Sequence, residues 1–154
     1  DSYERAGSIG FRCALDAMPE MVQVVDPALV KNIRSMLKTA AGDKGTGKRA
    51  MIDGYSVGGK TGTLHKVKPG GGYDPHRYMS VFAGLSPVDN PRLVTIVVID
   101  EPREGDYFGG LVAAPVFSEV TGNALRLMQV TPDNMDINRN IESVKAMVAK
   151  RGNP

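Results

Sequence analysis

Gly54 to Thr63 reads GYSVGGKTGT, and two catalytic signatures overlap in it. Gly54-Tyr55-Ser56-Val57-Gly58 fits the Gly-x-Ser-x-Gly elbow of serine hydrolases, whereas Lys60-Thr61-Gly62-Thr63 reads as a strand that a substrate could meet. An elbow needs a strand, a sharp turn that exposes the serine, and a helix directly afterwards. Ser56 is succeeded by VGGKTGTLHK, rich in Gly and Thr, which makes a poor helix and a good strand for close approach. This context rejects the elbow and leaves Ser56 as an ordinary strand serine. On a strand, Thr61 and Thr63 share one face with their hydroxyls about 7 Å apart, and Gly62 leaves the backbone bare between them. Such an edge can hold a carboxylate, or pair with an extended substrate and aim a backbone N–H at a reacting carbonyl. Lys60 nominally points to the opposite face and needs its long stem and the strand twist to reach the same cleft.

Working upstream, Asp26-Pro27 is a helix start: Asp caps free N–H groups, and Pro loses no hydrogen bond at the first helical position. Leu29, Ile33, Met36, Leu37 and Ala40 recur at helical spacing until Gly42, which predicts an amphipathic helix over 27–41. GDKGTGKR then reads as a flexible basic loop. Downstream, SVGGKTGTLHKV, RYMSVFAGLSP and RLVTIVVIDEP are three extended runs, joined by KPGGGYDPH and VDNP. Sequential strands with short connections are most simply an antiparallel meander. Leu93 to Ile99 is nearly all apolar, as in a strand covered on both faces. GGLVAAPVFSEVTGNALRLM returns to helical spacing through Val112, Val116, Val120, Leu125 and Met128, with Pro115 placed to displace the helix start. Beyond Pro132, a thin stripe of Ile137, Ile141, Val144 and Val148 gives a peripheral helix or a partly disordered tail.

Other motifs are weaker. Gly42-Asp43-Lys44-Gly45-Thr46-Gly47-Lys48 nearly completes a phosphate-binding loop, but Arg49 stands where the Mg²⁺ ligand belongs, and the segment comes after a helix. Ser35-Met36-Leu37-Lys38 matches a Ser-x-x-Lys nucleophile motif, although Met36 and Leu37 belong to the apolar stripe and Ser35 and Lys38 flank it. His65 and His76 have no Cys, Asp or Glu at ligand spacing, so no metal site is expected. Asp100 and Glu101 at a strand end read as turn anchors rather than an acid/base pair. The 154 residues carry a net charge of +2, from 19 basic and 17 acidic residues that are well mixed, and no nucleic-acid footprint stands out. Cys13 is alone, which excludes an internal disulfide. No run approaches the roughly 20 apolar residues of a membrane span, and no N-terminal signal pattern is visible.

Taken together, GYSVGGKTGT, RYMSVFAGLSPVDNPRLVTIVVIDEP and GDYFGGLVAAPVFSEVTGNALRLM resemble the end of the transpeptidase domain of class B, division-type penicillin-binding proteins, often called penicillin-binding protein 3. The resemblance covers about residues 26–134, leaving 1–25 as an unplaced N-terminal segment and 135–154 as a polar C-terminal tail. It implies an α+β fold, a penicillin-binding/β-lactamase-like antiparallel sheet with flanking helices and three strands in this chain. It implies peptidoglycan D,D-transpeptidase chemistry in septum formation, in which a Ser-x-x-Lys serine attacks the D-Ala-D-Ala end of a stem peptide and the acyl group passes to a neighbouring amine. By resemblance Lys60 would bond the serine of a Ser-x-Asn motif, and Thr61, Gly62 and Thr63 would bind the substrate or β-lactam carboxylate. The Thr63 N–H would complete an oxyanion hole, and Tyr107 and Phe108 would lie close to the cleft. No cofactor or metal is implied. The implied partners are the stem peptide, β-lactams and, through the whole protein, division proteins, on the periplasmic side of the bacterial inner membrane. The departure is that no Ser-x-Asn occurs in the chain, and Ser35 falls where the family has a noncatalytic helix. No nucleophile is therefore assigned in this chain, two strands and the central catalytic helix of the family fold are missing, and the chain alone is expected to be inactive. A noncatalytic binding module of the same fold, a β-lactam sensor and a D,D-carboxypeptidase are the alternatives.

Overall fold

Asp26 and Gly42 do bound the first helix. In α1, Pro27–Ala41, the Asp26 carboxylate accepts the Ala28 N–H at 2.7 Å and Pro27 occupies the first turn, while Gly42 caps the end. The computed structural model describes residues 9–10, 24–103 and 105–134, so the predicted tail helix lies outside the described residues. A short 3-10 turn at Lys48–Ala50 leads into β2, Gly58–Val67, then β3, Tyr73–Ser86, β4, Leu93–Asp100, and the long helix α2, Gly109–Leu127. A two-residue strand β1, Ile9–Gly10, pairs antiparallel with Val98–Ile99 at the outer side of β4. The sheet order is β1-β4-β3-β2, so β2 forms one edge.

The meander has the expected order and direction, with one difference in extent. Tyr73 to His76 belong to β3, because the chain reverses within Lys68–Gly72 through three consecutive positive-φ glycines, Gly70, Gly71 and Gly72. The register explains how the sheet is covered. Thr61, Phe82 and Val97 lie abreast across β2, β3 and β4, as do Gly59, Gly84 and Thr95. These rows face α2: Phe82 and Val97 are fully buried, the Phe82 ring lies 4.8 Å from that of Phe117, and the Thr121 hydroxyl bonds that of Thr95 at 3.0 Å.

Helix α2 buries Gly109, Ala113, Phe117, Thr121 and Leu125, a ladder of four-residue steps that keeps one stripe on the sheet. Pro115 does not displace the helix start. It sits inside the helix, where its missing N–H frees the carbonyl of Leu111, and the Arg49 guanidinium donates to that carbonyl at 3.4 Å.

The opposite sheet face is barely covered. Leu37 of α1 lies beside Gly58, yet Leu29, Ile33 and Met36 of the predicted buried stripe are exposed, as are Leu64, Val94 and Ile96. The expectation that Leu93 to Ile99 is covered on both faces is thus corrected: among the described residues β4 has a helix against its α2 face alone, and Val94 is 68% exposed. Beyond the two β1 pairs, the rest of the outer edge of β4 has no described strand beside it.

Apolar sheet surface beside an open strand edge favours association. The chain is expected to self-associate in sedimentation velocity, and the double change Val94→Lys, Ile96→Glu to reduce that association without lowering the unfolding midpoint. A monomeric parent chain would remove this expectation.

Candidate functional site

The GYS half of the opening stretch is structural. Tyr55 and Ser56 are buried, the Tyr55 hydroxyl donates to Val130 O at 2.7 Å, and the Ser56 hydroxyl donates to the Asp133 carboxylate. Ser56 Oγ also accepts the Val88 N–H at 2.8 Å, and Asp133 takes the Ser56 N–H at 2.7 Å. Ser56 lies just ahead of β2 rather than on it, and its hydroxyl is committed to holding the segment after α2 against the turn after β3. No histidine bonds it, so a serine-hydrolase elbow is absent at this position.

The KTGT half forms an edge. Lys60 is exposed, and its ammonium folds along the strand to donate to Thr61 O at 3.0 Å and, at 3.4 Å, to Thr61 Oγ1. Thr61 Oγ1 pairs with Thr46 Oγ1 at 3.0 Å, and Thr63 Oγ1 accepts the Gly109 N–H at 3.1 Å. A cleft of about 300 Å³ is lined here by Thr46, Thr61, Thr63, Phe108 and the first turn of α2, Gly109 to Leu111. The start of α2 turns the positive end of the helix dipole toward the cleft, which favours a negatively charged group. Two hydroxyls, an ammonium and this helix start converge on one side of β2.

Aromatic rings extend the same edge. Tyr78, paired with His65 across β2 and β3, stacks on Tyr107 with centroids 4.0 Å apart, and Tyr107 is followed by Phe108 at 4.5 Å. His65 closes the row against Tyr78 at 4.6 Å, and the Ser80 hydroxyl holds Tyr107 by its carbonyl. Burial, and then the neighbouring Tyr107, push the Tyr78 hydroxyl above its ordinary pKa. The family resemblance points to Tyr107 and Phe108 but not to Tyr78 and His65. The pairing of residues thirteen apart in a hairpin depends on the bulge after His65, a register that composition does not reveal.

The loop carrying Tyr107 departs from an ion-pair cluster. Lys66 reaches Asp100 at 2.8 Å and Glu101 at 2.7 Å, while Arg77 also pairs with Glu101, tying β2, β3 and the end of β4 together. Glu101 adopts a positive φ of 52°, and its carboxyl is held down to about 2, chiefly by Arg77 and then by Lys66. Asp100 and Glu101 thus do anchor a turn.

The second nucleophile candidate lies elsewhere. Ser35 and Lys38 are exposed, no hydrogen bond joins them, and they line a different and larger hollow of about 730 Å³ on α1 beside Val88 and Asp89. Size does not decide between the two hollows: only the smaller one sets the hydroxyls of a strand edge against the start of α2, with the Lys60 ammonium 3.4 Å from Thr61 Oγ1. The supposed phosphate loop is equally unlike its motif: it bonds to the end of α1 through Gly47 N–H to Ala40 O at 3.1 Å and to β2 through Thr46 and Thr61. Among the described residues no group of three His, Cys, Asp or Glu side chains could hold a metal, and no helix is long and apolar enough to cross a membrane.

With this sheet, helix and strand edge in view, comparison with known proteins gives a consistent result. Residues 9–122 match the family model of the penicillin-binding protein transpeptidase domain, and the chain belongs to that family. It is 43% identical over 113 residues to a probable peptidoglycan D,D-transpeptidase, PbpC, of Pseudomonas aeruginosa, covering 73% of this chain and 20% of that protein. It is 40% identical over 111 residues to the peptidoglycan D,D-transpeptidase FtsI of Escherichia coli K12, covering 72% and 19%. Among solved structures, the TP domain of Burkholderia pseudomallei penicillin-binding protein 3 superposes with a TM-score of 0.60 at 44% identity, covering 66% of this chain and 30% of that one. The chain therefore spans about a fifth of the length of these curated relatives.

Two outcomes are expected from the site geometry. Thr63→Val should cost about 1 kcal/mol of stability, because it leaves the Gly109 N–H without its acceptor, whereas Thr63→Ser should keep most of it. Urea midpoints equal for parent and Val variant would contradict this. For Glu101, a folded pKa below the ordinary 4.5 stabilises the chain above that value, and the contribution fades as pH falls from 4.5 through about 2. The stability gap between the parent and Glu101→Gln should accordingly be open at pH 6 and close across that interval.

Proposed function

We propose that this chain supplies one wall of the active site of a serine-type peptidoglycan D,D-transpeptidase. The observation that carries the reading is the convergence of Lys60, Thr61 and Thr63 with the start of α2 on the free edge of β2. In this reading Thr61 and Thr63 hold the terminal carboxylate of a D-Ala-D-Ala stem peptide, or of a β-lactam, with Gly62 leaving room for the ligand backbone. The Lys60 ammonium keeps its contacts to Thr61 and directs its third proton to the serine of a Ser-x-Asn motif. Thr61 O accepts from Lys60 beyond the strand edge, and alternation along an antiparallel pair then aims the Thr63 N–H outward as well, as an oxyanion donor must be. Tyr107 and Phe108 flank the bound ligand on the apolar side.

The chemistry assigned to the whole enzyme is acyl transfer. A serine oxygen attacks the penultimate D-Ala carbonyl, terminal D-Ala leaves with a proton, and a neighbouring stem-peptide amine displaces the serine from the acyl-enzyme. In this reading the nucleophilic serine is supplied from outside these 154 residues, which hold no Ser-x-Asn and whose one Ser-x-x-Lys, at Ser35, lines a hollow other than the cleft. The same reading, resting on the likeness to FtsI, puts the whole protein on the periplasmic side of the bacterial inner membrane, with division proteins as its partners.

The test exchanges residues 9–134 into the corresponding stretch of the Burkholderia pseudomallei domain. The folded chimera should be labelled by a fluorescent penicillin, whereas the 154-residue chain alone should gain no penicilloyl mass. A folded chimera that stays unlabelled, or an adduct mapped to Ser35 or Ser56 of the chain, would overturn the assignment.

A further inference from the structure

Thr46 belongs to the incomplete phosphate-loop motif, and the proposed chemistry has no role for it, yet the structure goes to some length to place it. It lies between Gly45 and Gly47 in the loop after α1. A Cβ at Gly45 would fall 2.1 Å from Ala40 O, and one at Gly110 would fall 2.2 Å from Thr46 O. The loop is thus pressed against the end of α1 on one side and the start of α2 on the other. The result of this double contact is that Thr46 Oγ1 sits 3.0 Å from Thr61 Oγ1, inside the cleft.

The hydrogen count gives that contact a direction. An ammonium can only donate, so Thr61 Oγ1 accepts from Lys60, and the single Thr61 proton then goes either to Thr46 or to a ligand. When Thr46 donates to Thr61, the Thr61 proton is released toward the cleft. A carboxylate arriving there selects this arrangement, because it accepts the Thr61 proton, and the chain Thr46 to Thr61 to carboxylate strengthens along its length. Without the Thr46 hydroxyl, nothing on that side orients the Thr61 rotor.

We propose that Thr46 is a positioning residue for carboxylate recognition: its hydroxyl donates to Thr61 and turns the Thr61 O–H toward the ligand. The inference rests on the reading of the cleft as a site for the D-Ala carboxylate. It does not require the absent serine, so it can be tested in the 154-residue chain.

The probes are N-acetyl-D-alanyl-D-alanine and its C-terminal amide, titrated while the amide resonances of Thr61, Thr63 and Gly109 are followed. The parent chain should bind the acid more tightly than the amide. Thr46→Val, which keeps the side-chain shape, should bind the acid roughly three- to tenfold more weakly and leave the amide unchanged, while Thr46→Ser should restore the acid preference. Equal affinity of Thr46→Val and the parent for the acid would overturn the inference alone. So would equal losses for the Val and Ser variants, which mark a structural role. A parent chain with no preference for the acid would overturn the reading of the cleft and the inference with it. Unchanged amide spectra away from the cleft establish that each variant is folded.

Discussion

The rest of the site depends on the place where α2 begins directly on the backbone of the β2–β3 pair. A Cβ at Gly109 would lie 2.3 Å from Val81 O and 2.4 Å from Gly62 O, and no rotamer change relieves a clash with backbone. Gly109-Gly110 therefore permits a helix start to descend onto a strand surface at a distance that any side chain would forbid. This close approach has three consequences. The first N–H of the helix reaches the Thr63 hydroxyl, the positive end of the helix dipole lies beside Thr61 and Thr63, and the preceding residues, Tyr107 and Phe108, are fixed along the strand edge. The four-residue ladder Gly109, Ala113, Phe117, Thr121 and Leu125 then carries the contact along the sheet.

Much of this is readable from sequence because it rests on local rules. Asp26-Pro27 and Gly42 bound α1 by capping chemistry alone, and the three apolar runs give the meander its order. Lys60-Thr61-Gly62-Thr63 stands out because alternation on a strand is strict. Other features are illegible because their partners are far away in the chain. Pro115 looks like a helix boundary until Arg49, 62 residues upstream of Leu111, is seen to satisfy the carbonyl that the proline frees. Ser56 looks like an ordinary polar residue until Asp133 is brought to it from 77 positions downstream. Periodicity also shows which face of α1 is apolar without showing how much of it is covered, and Leu29, Ile33 and Met36 remain largely exposed.

The two faces of the sheet differ in completeness. The α2 face is finished: Phe82, Val97, Phe117 and Leu125 have no exposed surface, and no buried polar side-chain atom among the described residues lacks a partner. The other face leaves Leu64, Val94 and Ile96 open, although Val and Ile are the residues that a strand uses where it is covered. This asymmetry agrees with a chain that matches only 30% of a solved domain of the same family. A site wall can nevertheless be well formed here, since its geometry is set from the finished side, by α2 and the loop after α1, rather than from the open one.

That division also explains why the hydroxyls of the cleft serve the fold and the proposed chemistry at once. Thr63 accepts from Gly109 with one lone pair and retains its own proton; Thr61 accepts from Lys60 and shares one proton with Thr46. A hydroxyl that only stabilises the fold would be expected to spend its donor internally. Here the fixed demands fall on the acceptor sides, from a backbone N–H and an ammonium, so both threonines keep donors available for an anion without leaving a helix N–H unsatisfied. The arrangement is preorganised for a negative group: the oxygens are already held in place by the helix start and the lysine, and binding needs only rotation about two C–O bonds.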